Sequence, residues 1–301
     1  SPPPGLYRLP VLVAFPYSVA KKHNGTVGRS ADLAAYPDLH FFSREFPERF
    51  FQMGMAEQLL VGAAAGLARE GATPFVTTYA VFAARRAYDF ICMAIAEEKL
   101  NVKIICALPG LTTGYGPSHQ ATEDIAIFRG MPNMTIIDPC DAIDIQQAIP
   151  AIYEHEGPVY MRLLRGKVPV ILDRFPDYRF EVGKAKLLAD GHQALIISTG
   201  LMTMRAIQAR DLLEEEGISV AILHSPTIKP LDEATICREA EKRNCLVITA
   251  ENHTVIGGLG EAVASALMRH GIFRPFRQVG LPDRFLDAGA LPTLHDRYEI
   301  S

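Results

Sequence analysis

The sequence is poor in the features that mark several protein classes. Its five cysteines (Cys92, Cys106, Cys140, Cys237, Cys245) are odd in number, lack C-x-x-C spacing and mostly lie in apolar runs. That pattern excludes a disulfide framework and predicts buried thiols in a reducing compartment. Thirty Lys and Arg against thirty-four Asp and Glu leave a formal charge of -4, with no polybasic run. Neither nucleic acid nor an anionic membrane surface is therefore an expected partner. The opening SPPPGLYRLPVLVAF is interrupted by Pro10, is followed at once by Pro16 and contains no basic segment ahead of its apolar residues. It fits neither a signal peptide nor a membrane span, and the expected location is cytoplasmic. No H-E-x-x-H, G-x-S-x-G, Walker motif or zinc-ligand cluster occurs, and Gly257-Gly258-Leu259-Gly260 departs from G-x-G-x-x-G. A nucleotide-binding dehydrogenase is thus a poor reading.

What is present is an alternation of short apolar strands with helical stretches. TPFVTTY, VKIICAL (102–108), MTIIDP (134–139) and PVYMRLL (158–164) read as strands, with Asp141 capping the helix after the third. Val81 to Lys99 has the length of one helix. The pattern breaks in GKVPVILDRFPDYR, then restarts with ALIIST, ISVAIL and CLVITA separated by helices. The 301 residues therefore divide into two α/β units, expected at 1–172 and 173–301, each with a mainly parallel sheet covered on both faces.

The most informative stretch is EFPERFFQMGMAEQLLVGAAAGLAR, read from Met55 onward as a helix buried on nearly every side. Glu57 lies in it, and an ionised carboxylate taken out of water costs several kcal/mol unless something pairs with it. Either it is a first-turn glutamate facing the helix dipole, or it awaits a ligand that shares its proton. In parallel sheets ligands bind beyond the carboxyl ends of the strands. Tyr79 and Phe82 follow the first strand, as core aromatics or as a stacking platform for a flat heterocycle. His119 lies in the glycine-rich loop after the second, either solvated or facing a substrate. Arg165, past the fourth, is a surface arginine or an anion clamp.

FPERFFQMGMAEQLLVGAAAGLA, TPFVTTYAVFAARRAYDFI and GPSHQATEDIAIFRGMPNMTIIDPCDA together resemble the pyrimidine-binding domain of transketolase and its relative deoxyxylulose phosphate synthase. TIKPLD, the ENH-x-x-x-GGLGEAV segment and GLPDRF are similar to the transketolase C-terminal domain. The resemblance implies that Glu57 hydrogen-bonds the pyrimidine nitrogen of thiamine diphosphate, favouring the tautomer that activates the cofactor. It implies that Phe82 stacks on that ring with Tyr79 beside it. It makes His119 a contact of the reacting substrate, Arg165 a binder of substrate phosphate and Tyr115 a further substrate-side residue.

The family's Gly-Asp-Gly motif, which holds Mg2+ and the diphosphate, has no counterpart; Asp190-Gly191 follows Ala189. The resemblance then implies one subunit of a split enzyme, with no metal ligand of its own. An N-terminal transketolase subunit would carry the diphosphate-binding domain, in an expected α2β2 assembly. Leu108-Pro109-Gly110 stands where transketolases commonly have a histidine, and Gly114-Tyr115-Gly116 lacks their loop aspartate. These departures leave the donor open: transfer of a two-carbon ketol or acyl unit is expected, with a deoxyxylulose-phosphate-synthase-like reaction, a 2-oxo-acid decarboxylating beta subunit, or a non-catalytic interaction subunit as alternatives.

Overall fold

The structure, a computed structural model, describes residues 15–23, 25–31, 40–164 and 168–301. Strands β1 (Thr26–Ser30), β2 (Phe50–Gln52), β3 (Thr73–Tyr79), β4 (Lys103–Ala107), β5 (Thr135–Ile137) and β6 (Val159–Leu163) belong to a first sheet. Strands β7 (Lys186–Ala189), β8 (Ala194–Ser198) and β9 (Val220–His224) belong to a second. The next strand, β10 (Thr227–Lys229), returns to the first sheet, and β11 (Leu246–Thr254) and β12 (Phe276–Leu281) complete the second. The orders are β10-β5-β6-β4-β3-β1-β2 and β12-β11-β8-β9-β7. Every pairing is parallel except those of the edge strands β10 and β7. β3, β4, β5 and β6 are buried throughout, which is why they read as largely apolar and β-branched runs without polar alternation.

The helices are α1 (Phe15–Lys22), α2 (His40–Glu45), α3 (Glu57–Arg69), α4 (Ala80–Arg85), α5 (Tyr88–Ile91), α6 (Asp124–Arg129), α7 (Ala142–Glu154), α8 (Leu201–Glu215), α9 (Glu233–Arg243), α10 (Leu259–Arg269) and α11 (Leu291–Arg297). Asp141 caps α7 through Ile143 N and Asp144 N, and Asp232 caps α9. Two expectations need correction. The helix expected over 81–99 is broken: α4 and α5 are separate, and Cys92–Ala96 forms a wider turn closed by Glu97 N on Cys92 O at 2.9 Å. The wide turn leaves Met93 outside while Ile91, Ile95 and Ala96 stay in the core. α3 is also not buried all round. Leu60, Val61, Ala64 and Ala65 face the core, whereas Gln58, Leu59 and Gly66 are exposed.

The two sheets are joined by buried charge. The Arg162 guanidinium on β6 holds Asp124 through two bonds of 2.9 and 3.1 Å, Asp138 at 3.1 Å and the Asn252 carbonyl of β11 at 3.0 Å. Burial opposes its charge, but the two carboxylates keep it more firmly protonated than an ordinary arginine. The Gly200 N–H donates to the Asp138 carbonyl at 3.0 Å. With φ +52 and an added Cβ only 2.4 Å from the Asp138 carboxylate, that position admits glycine alone.

Candidate functional site

The carboxyl ends of β3 and β4 deliver most of the sequence-derived candidates to one place. β3 ends at Tyr79, which turns directly into α4, so Phe82 stands one turn beyond the strand. β4 ends at Ala107 and leads into a loop containing Tyr115 and His119. The His119 ring lies 5.5 Å from Phe82, 6.2 Å from Tyr79 and 5.4 Å from Tyr115, each contact edge-on. Tyr79 is buried, Phe82 half-buried and Tyr115 exposed, so the cluster grades from core to solvent. Ser118 Oγ sits 2.9 Å from His119 Nδ1.

Glu57 is the first residue of α3 and is only 2 % exposed. Both features raised from the sequence hold at once, first-turn position and burial. Its Oε2 accepts from Arg86 at 2.8 Å and its Oε1 from the Thr78 hydroxyl at 3.4 Å. The Arg86 guanidinium lies 4.5 Å from the Phe82 ring centroid, linking carboxylate and aromatic face through one cation. Arg86 was legible only as one of several charges in the 81–99 stretch; the signal for it was the need of a buried acid for a partner. Arg165 lies outside the described residues.

The loop after β4 is gripped from the second half of the chain. Gly289 N donates to Gly114 O at 3.0 Å, Gln120 Nε2 to Asp287 O at 3.0 Å and His295 Nε2 to Leu111 O at 2.8 Å. A Cβ on Gly114 would meet Gly289 O at 2.0 Å, and one on Gly110 would meet Asn252 O at 2.1 Å. Leu108 itself carries φ +59, an unfavourable backbone for a side chain of its size. Among the described residues, one group of metal-ligating side chains comes together: Cys140, Asp144 and His224, at the junction of the two halves. Its hydrogen bonds are already used. Asp144 accepts from Cys140 N at 2.9 Å, from the Tyr178 hydroxyl at 2.7 Å and pairs with His224 Nε2 at 2.9 Å, while Thr203 Oγ1 lies 2.8 Å from His224 Nδ1. That cluster is a structural weld.

Residues 17–170 match the family model for the transketolase pyrimidine-binding domain, and residues 183–301 that for the transketolase C-terminal domain. The chain belongs to the transketolase family. A transketolase family protein of Sinorhizobium fredii is 69 % identical over 286 residues, 94 % of this chain and 82 % of that one. A protein of a Clostridium species named as 6-deoxy-6-sulfo-D-fructose transketolase subunit is 38 % identical, covering 94 % of this chain and 87 % of its own. Among solved structures, a split-gene transketolase described as an inactive beta4 tetramer superposes with a TM-score of 0.89 at 38 % identity, covering 97 % of this chain and 93 % of its own. The transketolase family depends on thiamine diphosphate. A buried carboxyl group at Glu57 and the ring face of Phe82 are chemically suited to an aminopyrimidine, the first to share a proton with a ring nitrogen and the second to pack against the ring. No helix among the described residues is long and apolar enough to cross a membrane.

Proposed function

We propose that this transketolase-family chain is the ring-binding half of a two-chain enzyme that moves a two-carbon ketol unit, or the equivalent acyl unit, from a ketose or 2-oxo donor to an aldehyde. The observation that carries the reading is Glu57, a carboxylate withdrawn from water and linked through Arg86 to the Phe82 face beyond the carboxyl end of β3. When bound, thiamine diphosphate supplies the electron sink needed to break a carbon–carbon bond next to a carbonyl. Glu57 then holds a proton against the ring nitrogen, and Phe82, backed by Tyr79, orients the ring. His119 donates to or receives from a substrate oxygen at the outer edge of the same cluster. Tyr115 closes the cluster toward solvent, and Arg165 is the proposed grip for an anionic substrate group.

Mg2+ and the diphosphate are assigned to an N-terminal partner subunit. Two observations support that division. The sequence has no Gly-Asp-Gly, and the acid-containing cluster among the described residues is spent on the junction of the two halves. Met55, Leu59, Phe90 and Met93 are exposed in and around α3, the helix that starts at Glu57, and suit a subunit contact. The proposed assembly is α2β2, with the cofactor shared across that contact.

The test is reconstitution with the subunit that carries Gly-Asp-Gly, followed by ketol-transfer assays from several ketose phosphates and pyruvate. Turnover dependent on both chains, thiamine diphosphate and Mg2+ is expected. Turnover by this chain unaided, or none with any donor, would overturn the reading.

A further inference from the structure

The neighbouring arginines of α4 point to different partners. Arg86 reaches Glu57, whereas Arg85, the last residue of α4, reaches the loop that carries His119. Arg85 donates through NH1 to the Pro117 carbonyl at 2.8 Å and through NH2 to the Gln120 carbonyl at 3.3 Å, and its Nε pairs with Glu123. The two carbonyls bracket His119 in the chain. A planar guanidinium has donors spread across a rigid fork, so Arg85 holds both carbonyls and Glu123 through three different nitrogens, whereas an ammonium offers all its donors from one atom.

The rest of that loop is held elsewhere. The contacts from Asp287, Gly289 and His295 fall on Leu111, Gly114 and Gln120, before and after the segment Pro117–His119. Within that segment the backbone makes a single turn bond, His119 N to Gly116 O at 3.0 Å. Among the described residues, the His119 ring meets three aromatic rings edge-on and the Ser118 hydroxyl. We propose that Arg85 is the positioning residue for His119, tying the substrate loop to the helix that carries Phe82, so that ring and substrate residue keep one geometry. The proposal rests on the reading of His119 as the substrate-side residue of a transketolase.

The test uses the reconstituted two-chain enzyme and the full chain. Arg85→Ala is expected to lower kcat 10- to 100-fold, with Arg85→Lys restoring only part, while thiamine diphosphate affinity stays within about twofold because Glu57 and Phe82 keep their own contacts. A second readout needs no activity. The chain has no tryptophan, so Tyr115→Trp places a single indole in the loop. Its fluorescence anisotropy in the full chain should fall when Arg85→Ala is added and recover partly with Arg85→Lys. Unchanged anisotropy and unchanged kcat would overturn the proposal, as would a loss of cofactor affinity parallel to the loss of kcat. A drop in anisotropy in a complex that transfers no ketol would leave the clamp standing and reject the proposed reaction instead.

Discussion

Glu57 and Arg86 form an ion pair whose two ends differ in solvent: the carboxylate is 2 % exposed and the guanidinium side chain 49 %, at 2.8 Å. The pair is asymmetric in what its loss leaves behind. Arg86→Ala strands a buried carboxylate and is expected to cost about 3 kcal/mol of folding stability, whereas Glu57→Gln leaves an arginine that water can solvate and costs about 1 kcal/mol or less. Activity should run the other way, with Glu57→Gln lowering turnover of the reconstituted enzyme by roughly 10²- to 10⁴-fold. Urea titration beside steady-state assays separates the two; equal destabilisation by both variants would contradict the asymmetry.

Gly114→Ala tests the grip of the second half on the site loop. The new methyl would collide with the Gly289 carbonyl, which is backbone and has little room to yield. Loss of the Gly289–Gly114 hydrogen bond should shift Tyr115 and His119 and reduce kcat/KM at least tenfold, with a modest fall in melting temperature. Wild-type kinetics in this variant would detach the loop from the reaction.

Arg162 pairs with both Asp124 and Asp138 where all three are buried. Arg162→Met removes the cation and leaves two facing carboxylates, so a loss of roughly 3–5 kcal/mol or more is expected by denaturant unfolding. The triple replacement Arg162→Met, Asp124→Leu, Asp138→Leu should recover much of it, since no unpaired charge then remains. Failure of the triple variant to exceed the single one would show that the hydrogen bonds to Tyr160 and Asn252 dominate.

Two groups on β11 tilt the pH dependence of stability in opposite directions. His253 is buried with Nε2 accepting from Ala126 N at 3.2 Å and Nδ1 facing the Thr254 carbonyl at 2.7 Å, which suits the neutral ring. Burial lowers its pKa from 6.5 to about 4, so the unfolded chain takes up the proton first, and stability falls as pH drops from 6.5 through about 4. Burial raises the Glu251 pKa from 4.5 to about 7, so its contribution is complete below 4.5 and is lost as pH rises through about 7. The contributions of these two groups to the wild-type profile are expected to offset each other across this window. Glu251→Gln should make stability rise with pH and His253→Gln should make it fall, each by about 2–3 kcal/mol across the window. Parallel profiles for the two variants would refute the assignment.

The sequence by itself determined the buried central strands, while β1, β2, β7, β10 and β12 were not legible in it. β3, β4, β6 and β8 are fully or nearly buried, so their apolar runs carry the information locally, and capping aspartates and closing glycines mark the helix ends in the same way. Tyr79, Phe82 and His119 were legible as candidates for a related reason, since they lie at the end of a readable strand or in the segment that follows one, whereas the family and Tyr115 were legible from the motifs shared with transketolase. Tertiary structure alone decided the rest. The 81–99 helix breaks where Arg85 and Arg86 reach the 117–123 loop and Glu57, contacts 29 to 38 residues away in the chain. The return of β10 to the first sheet and the Arg162 network likewise depend on pairs that no local pattern encodes. Hydrophobic periodicity reports which side of an element is dry; it carries no record of which distant charge will meet another once both have left water.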